Sequence, residues 1–238
     1  MSGKSFIGGA FILMGAGLVV RVLGFVYRIY LSNLIGAEGM GLFQLIFPLY
    51  SLVIMTLTSG ISIAVSRLTA EEYARGNFDS IKKITGCALV LVFMAGAAVS
   101  VLMYIKIDFI ARVVLKDART YYSLLFMIPC IPVVAAASVL KGYFYGMQNV
   151  IPTALSQIAE QVVRIGLVML TAGYFLRLGI EYACALATLG MAVGEISNLA
   201  VLLLSYRKRK IRDIAPPGRK KGRRRVLAEL LKISLPVS

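Results

Sequence analysis

The chain has 238 residues, of which 59% are hydrophobic, a mean hydropathy of +0.83 and a formal charge of +15. A soluble domain is about 45–50% apolar, so the excess points to lipid and to an all-α membrane protein. With no histidine and only Cys87, Cys130 and Cys184, each alone in an apolar stretch, the sequence offers no zinc or iron–sulfur ligands, no thiol relay and no imidazole catalyst. The cysteines read as small buried hydrophobes. No cofactor and no enzyme chemistry are expected.

About 20 apolar residues cross the hydrocarbon layer as a helix. The first such run covers residues 6–31. Lys4 precedes it as in a secretion signal, but Arg21 and Arg28 interrupt the run and no small-residue cleavage site follows, so it reads as a retained span. Gly17, Arg21, Gly24 and Arg28 fall on one helical face. Such a face either packs tightly on a neighbour or lines a cavity that an anion can enter. Arg28 lies near the outer end, where snorkelling is an alternative, whereas Arg21 is too deep for that.

Span two covers 42–65, with Pro48 as an expected kink and Ser51, Thr58, Ser62 and Ser66 along one side. Span three covers 85–105. Ile107, Ile110, Ala111, Val114 and Leu115 then recur at helical spacing, which predicts a short amphipathic helix at the outer interface or a solvated loop. Span four, 121–140, carries two further expected kinks at Pro129 and Pro132. Span five, 154–176, holds Gln157, Glu160, Gln161 and Arg164 in a continuous polar stripe. Glu160 and Arg164 are spaced for an intrahelical pair; the flanking glutamines favour a wetted face. Span six, 182–206, adds Glu195 and Asn198.

The domain plan is a six-span lobe over 1–206, a basic linker over 207–225 and the start of a seventh span over 226–238. The linker needs no partner beyond anionic membrane lipids. Nucleic-acid binding would want interleaved aromatics or a folded module, and the stretch has neither. With the N-terminus in the cytoplasm, seventeen lysines and arginines fall on inside segments and five on outside loops, which fixes the orientation.

Ionisable residues within spans are functional candidates by default. Here they make at least two helix faces polar, small and net positive. A cationic, water-filled cavity follows, with phosphate the best-matched anion because arginine forks bind its oxygens bidentately.

The stretch Lys141-Gly142-Tyr143-Phe144-Tyr145-Gly146-Met147-Gln148-Asn149, with residues 151–157 and 160–164, resembles the span four–five signature of the stage V sporulation protein B and polysaccharide transporter family. Gly36-Ala37-Glu38-Gly39-Met40-Gly41-Leu42-Phe43-Gln44 is similar to that family's first outer loop, and Arg21-Val22-Leu23-Gly24-Phe25-Val26 to the first-span arginine motif of lipid II flippases. These belong to the MATE-like multidrug/oligosaccharidyl-lipid/polysaccharide exporter superfamily. The resemblance runs from about residue 5 to the chain end. It implies the N-terminal lobe of a bacterial plasma-membrane transporter with two six-helix lobes, alternating access and polyprenyl-diphosphate-linked sugars as substrates. Arg21 matches the family's cavity arginine; Arg28 sits one residue after the flippases' second.

The expected function is a flippase lobe for a lipid-linked cell-wall or polysaccharide precursor. Arg21, Arg28 and Arg164 would bind the diphosphate, supported by Glu160, Gln157 and Gln161. A cation-coupled drug exporter and a non-transporting scaffold are the alternatives. The chain ends where a second lobe would begin, so a fragment, or half of a split transporter with a separate second-lobe polypeptide, is expected.

Overall fold

The computed structural model describes residues 3–175 and 180–212, all of whose regular structure is helical. Arg177, most of the basic linker and the expected seventh span lie outside these residues. The first helix, Gly3–Ala74, leaves helical geometry at Gly36, with φ 67° and ψ −174°. At 1.5 Å per residue a straight helix of this length would run roughly 100 Å, over three times the hydrocarbon thickness. Gly24 and Pro48 nevertheless line one cavity. The chain therefore reverses at Gly36, giving span one (3–35) and span two (37–74).

Among the described residues five helices are long and apolar enough to cross a membrane, and the first supplies two spans, which makes six. The others are span three (Phe78–Ile105), span four (Ala118–Gly146), span five (Ile151–Phe175) and span six (Ile180–Arg212). The expected first outer loop is a single glycine turn. A positive φ is cheap at glycine, and residues 37–41 are already helical. Span six also continues to Arg212, beyond the expected end at 206. Lysine and arginine are good helix formers and suit a helix C-terminus, so the linker's first residues extend the helix.

Proline chemistry explains the break in span four, where a 3₁₀ turn over Ile128–Cys130 separates Tyr121–Met127 from Ile131–Gly146. Pro132 has no N–H to give the Ile128 carbonyl four residues back. Ser100 of span three donates to that carbonyl instead, at 2.7 Å. The approach is close because Gly96 faces Pro132: a Cβ on Gly96 would lie 2.9 Å from the proline Cα. Ser100→Ala is expected to lower stability by about 1 kcal/mol, read as an earlier thermal transition in detergent. Pro48 lies within helical backbone, so span two continues through it without a break of the kind seen in span four.

Glycines set the remaining seams. A Cβ on Gly142 would lie 2.6 Å from the Ser62 carbonyl oxygen, and one on Gly146 2.5 Å from that of Ser66, so spans two and four touch backbone to backbone. Leu68, Ile84, Val92, Leu140, Phe144 and Leu202 fill the core around this seam. In a second core, Tyr27, Leu31 and Ile35 of span one meet Val168 of span five and Leu186 of span six. On the periphery of span one, Phe11, Met14, Leu18, Val22 and Phe25 are exposed, as a lipid-facing helix requires. All three cysteines are buried, and none is in a disulfide.

The segment after span three is helical, as its spacing suggested, but Ile110–Val114 winds as a π-turn. That wider turn shifts the register: Ile107 and Ala111 are buried, whereas Val114 is turned outward. Beyond it, Asp117 accepts from the backbone N–H and side chain of Arg119, whose guanidinium holds the Asp117 carboxyl below the usual carboxylate range. Arg119 also pairs with Glu38, tying this loop to the turn between spans one and two.

Candidate functional site

A cavity of about 480 Å³ opens between spans one, two, five and six. Its size falls within the ordinary range of small-molecule pockets. One wall is cationic and polar: Arg28 from span one, Gln44 from span two, and Gln161 and Arg164 from span five. The other is apolar, with Phe43 and Phe47 stacked at 6.2 Å between ring centroids and Met191 of span six nearby. The site thus joins a charged face to an aromatic shelf.

Span six reaches span five at this level because Gly190 and Gly194 carry no side chain. A Cβ on Gly190 would lie 2.7 Å from Val168 Cγ2, and one on Gly194 3.1 Å from the Glu160 carbonyl oxygen. One turn further along, Asn198 is fully buried and donates from Nδ2 to Glu160 at 2.9 Å and to Glu195 at 3.3 Å. Arg164 donates to the other oxygen of Glu160. The Arg164 and Glu160 side chains are 13% and 14% exposed, so the pair is largely desolvated. A polar chain therefore runs from the cavity wall inward: Arg164, Glu160, Asn198, Glu195.

The sequence-predicted residues divide. Arg28, Arg164 and Gln161 line the cavity, and Glu160 holds Arg164 from behind. Gln157 is half-buried and is not part of the cavity wall. Arg21 is exposed and also outside it; it shares a helical face with Gly24, which lines the cavity one turn away. Tight packing of that face is ruled out at Gly17, where an added Cβ would meet nothing within 4 Å, and is loose at Gly24, where Gln161 Nε2 is 3.8 Å off. Among the described residues Arg28 has no carboxylate partner, and Glu160 balances Arg164, so the wall keeps an excess positive charge.

The span-two hydroxyls are structural. Ser51 donates to the Pro48 carbonyl at 2.9 Å and Thr58 to the Ile54 carbonyl at 2.7 Å, while Ser62 and Ser66 form the glycine seam. Sequence reasoning missed Tyr27 and Gln44, which line the cavity. It also missed the Gly190/Gly194 pair, although small residues four apart in an apolar helix are a sequence signal for close helix approach.

The chain matches the family described as polysaccharide biosynthesis protein over residues 6–237. It is 37% identical over 241 residues to stage V sporulation protein B of Bacillus subtilis (strain 168), covering 100% of this chain and 46% of that protein. It is 30% identical over 215 residues to lipid II flippase MurJ of the same organism, covering 85% of this chain and 39% of that one. The chain thus spans less than half the length of these curated relatives. Among solved structures, it superposes on an outward-facing multidrug resistance MATE family transporter of the MOP superfamily. The TM-score is 0.75 at 21% identity, covering 98% of this chain and 52% of that one, a likeness of fold.

Proposed function

Because the chain belongs to the polysaccharide biosynthesis protein family, we propose that it forms the first lobe of a flippase that carries polyprenyl-diphosphate-linked sugars across the bacterial plasma membrane, and that it is no enzyme. The observation that carries this reading is Arg28, without a carboxylate partner among the described residues, on one cavity wall with the Glu160-held Arg164. Two guanidinium groups facing one hollow suit a diphosphate, whose charge a desolvated cavity would otherwise reject. Arg21, one turn along the same face, extends the cationic track, and Gln161 adds an amide.

The N-terminus lies in the cytoplasm in this reading, residues 207–225 rest on the anionic inner leaflet at ~1 kcal/mol per basic residue, and residues 226–238 begin a seventh span. Rocking of this lobe against a second one moves the headgroup across while the polyprenyl tail stays in lipid. A cation-coupled drug exporter is the second reading, favoured only by Glu160 and Glu195 sharing Asn198. Those acids sit behind the arginine, where a cationic drug would have to pass it.

The test is translocation of a lipid-linked sugar diphosphate by the full protein in proteoliposomes. Arg21→Ala with Arg28→Ala is expected to cut the rate tenfold or more, roughly the loss of one charge-assisted hydrogen bond or two, with the folded yield unchanged because both side chains are exposed. Unaltered translocation in that variant would refute the assignment.

A further inference from the structure

Tyr27 lies on span one, one residue before Arg28 and one turn after Gly24, and lines the same cavity. Tyr27 is only 7% exposed, yet its hydroxyl has no hydrogen-bond partner among the described residues. A buried hydroxyl left unmatched costs on the order of 1–3 kcal/mol, and one on a residue that lines a cavity is a group that a ligand can complete. Two more orphans border the same hollow: Arg164 Nε, whose guanidinium is otherwise held by Glu160, and Gln161 Oε1. Three residues with an unmatched polar atom thus line one cavity.

We propose that Tyr27 is a further substrate-binding residue, its hydroxyl donating a hydrogen bond to an oxygen of the diphosphate that Arg28 and Arg164 neutralise. The assignment rests on the flippase reading of the cavity. Among the wall residues, Tyr27 is suited to orienting the anion, because a ring fixed in the helix core places its hydroxyl with little conformational freedom to lose. Phosphate oxygens are acceptors only, so the hydroxyl takes the donor role.

The test uses the full protein in nanodiscs, with farnesyl diphosphate as the probe and inorganic diphosphate as a separate arm that tells a lipid-linked anion from a free one. Tyr27→Phe is expected to weaken farnesyl diphosphate binding roughly tenfold, the loss of one hydrogen bond to a charged group, while the melting temperature of the ligand-free protein stays at or above the parent value. Parent-like affinity in Tyr27→Phe overturns the role of Tyr27 and leaves the flippase reading in place. A fall in melting temperature, or failure to fold, also overturns it by making the hydroxyl structural. If the parent protein binds neither probe, the diphosphate reading of the cavity fails first. Stronger binding of inorganic than of farnesyl diphosphate would assign the site to a free anion and overturn the lipid-linked ligand.

Discussion

Gly146→Val is expected to abolish the folded lobe, with little or no monodisperse protein recovered from membranes. A Cβ at this position would sit 2.5 Å from the Ser66 carbonyl oxygen and 2.7 Å from Thr69 Cβ. The first is backbone and the second is the root of a side chain, so neither swings away. Relief requires the two helices to separate, and separation opens the core that Leu140, Phe144, Leu68 and Val65 fill. Overpacking of a tight core costs about 1–3 kcal/mol, and losing the backbone seam adds to it. Gly142→Val is expected to behave alike, since its Cβ would lie 2.6 Å from the Ser62 carbonyl oxygen. Gly86→Val is the control, because nothing lies within 4 Å of a Cβ there. Equal yields and melting temperatures for the Gly146 and Gly86 variants would show that the seam does not hold the lobe together.

The seam changes what the stretch around Lys141–Asn149 means. In the sequence it served to point to a family; in the structure Gly142 and Gly146 are packing residues, and Tyr143 and Phe144 are buried. The spans themselves were legible because hydropathy reports transfer into lipid directly. Their ends were not, since helices run on past the hydrocarbon layer, as span two does to Ala74 and span six to Arg212. The turn at Gly36 was read as a loop because one residue in left-handed geometry leaves no run of polar residues behind. The polar stripe of span five was legible from its spacing, and it supplied Arg164, Gln161 and Glu160. Asn198 and Glu195 could be seen as polar but not placed, because only the glycine faces of span six determine that they meet Glu160. Tyr27 was invisible for a simpler reason: a tyrosine in an apolar helix looks like any other aromatic until its hydroxyl is found without a partner.

The sharpest discrimination concerns Glu160 and Arg164, whose pairing serves either the fold alone or the cavity. Arg164→Ala alone is expected to lose translocation and also about 3–5 kcal/mol of stability, because it strands the Glu160 carboxylate at a largely buried position. That single variant therefore decides nothing. Replacing both residues, Glu160→Met with Arg164→Met, removes the charges together and substitutes unbranched apolar chains of similar reach. Replacing a buried pair this way is often neutral, and Asn198 Nδ2 keeps an acceptor in Glu195 at 3.3 Å. The double variant is expected to melt close to the parent protein yet to translocate no lipid-linked diphosphate in proteoliposomes. A pair that only braced span five would give the opposite result, with transport restored along with stability. Flipping at the parent rate in the double variant would leave Arg28 as the cavity's sole cation and remove Arg164 from the binding site.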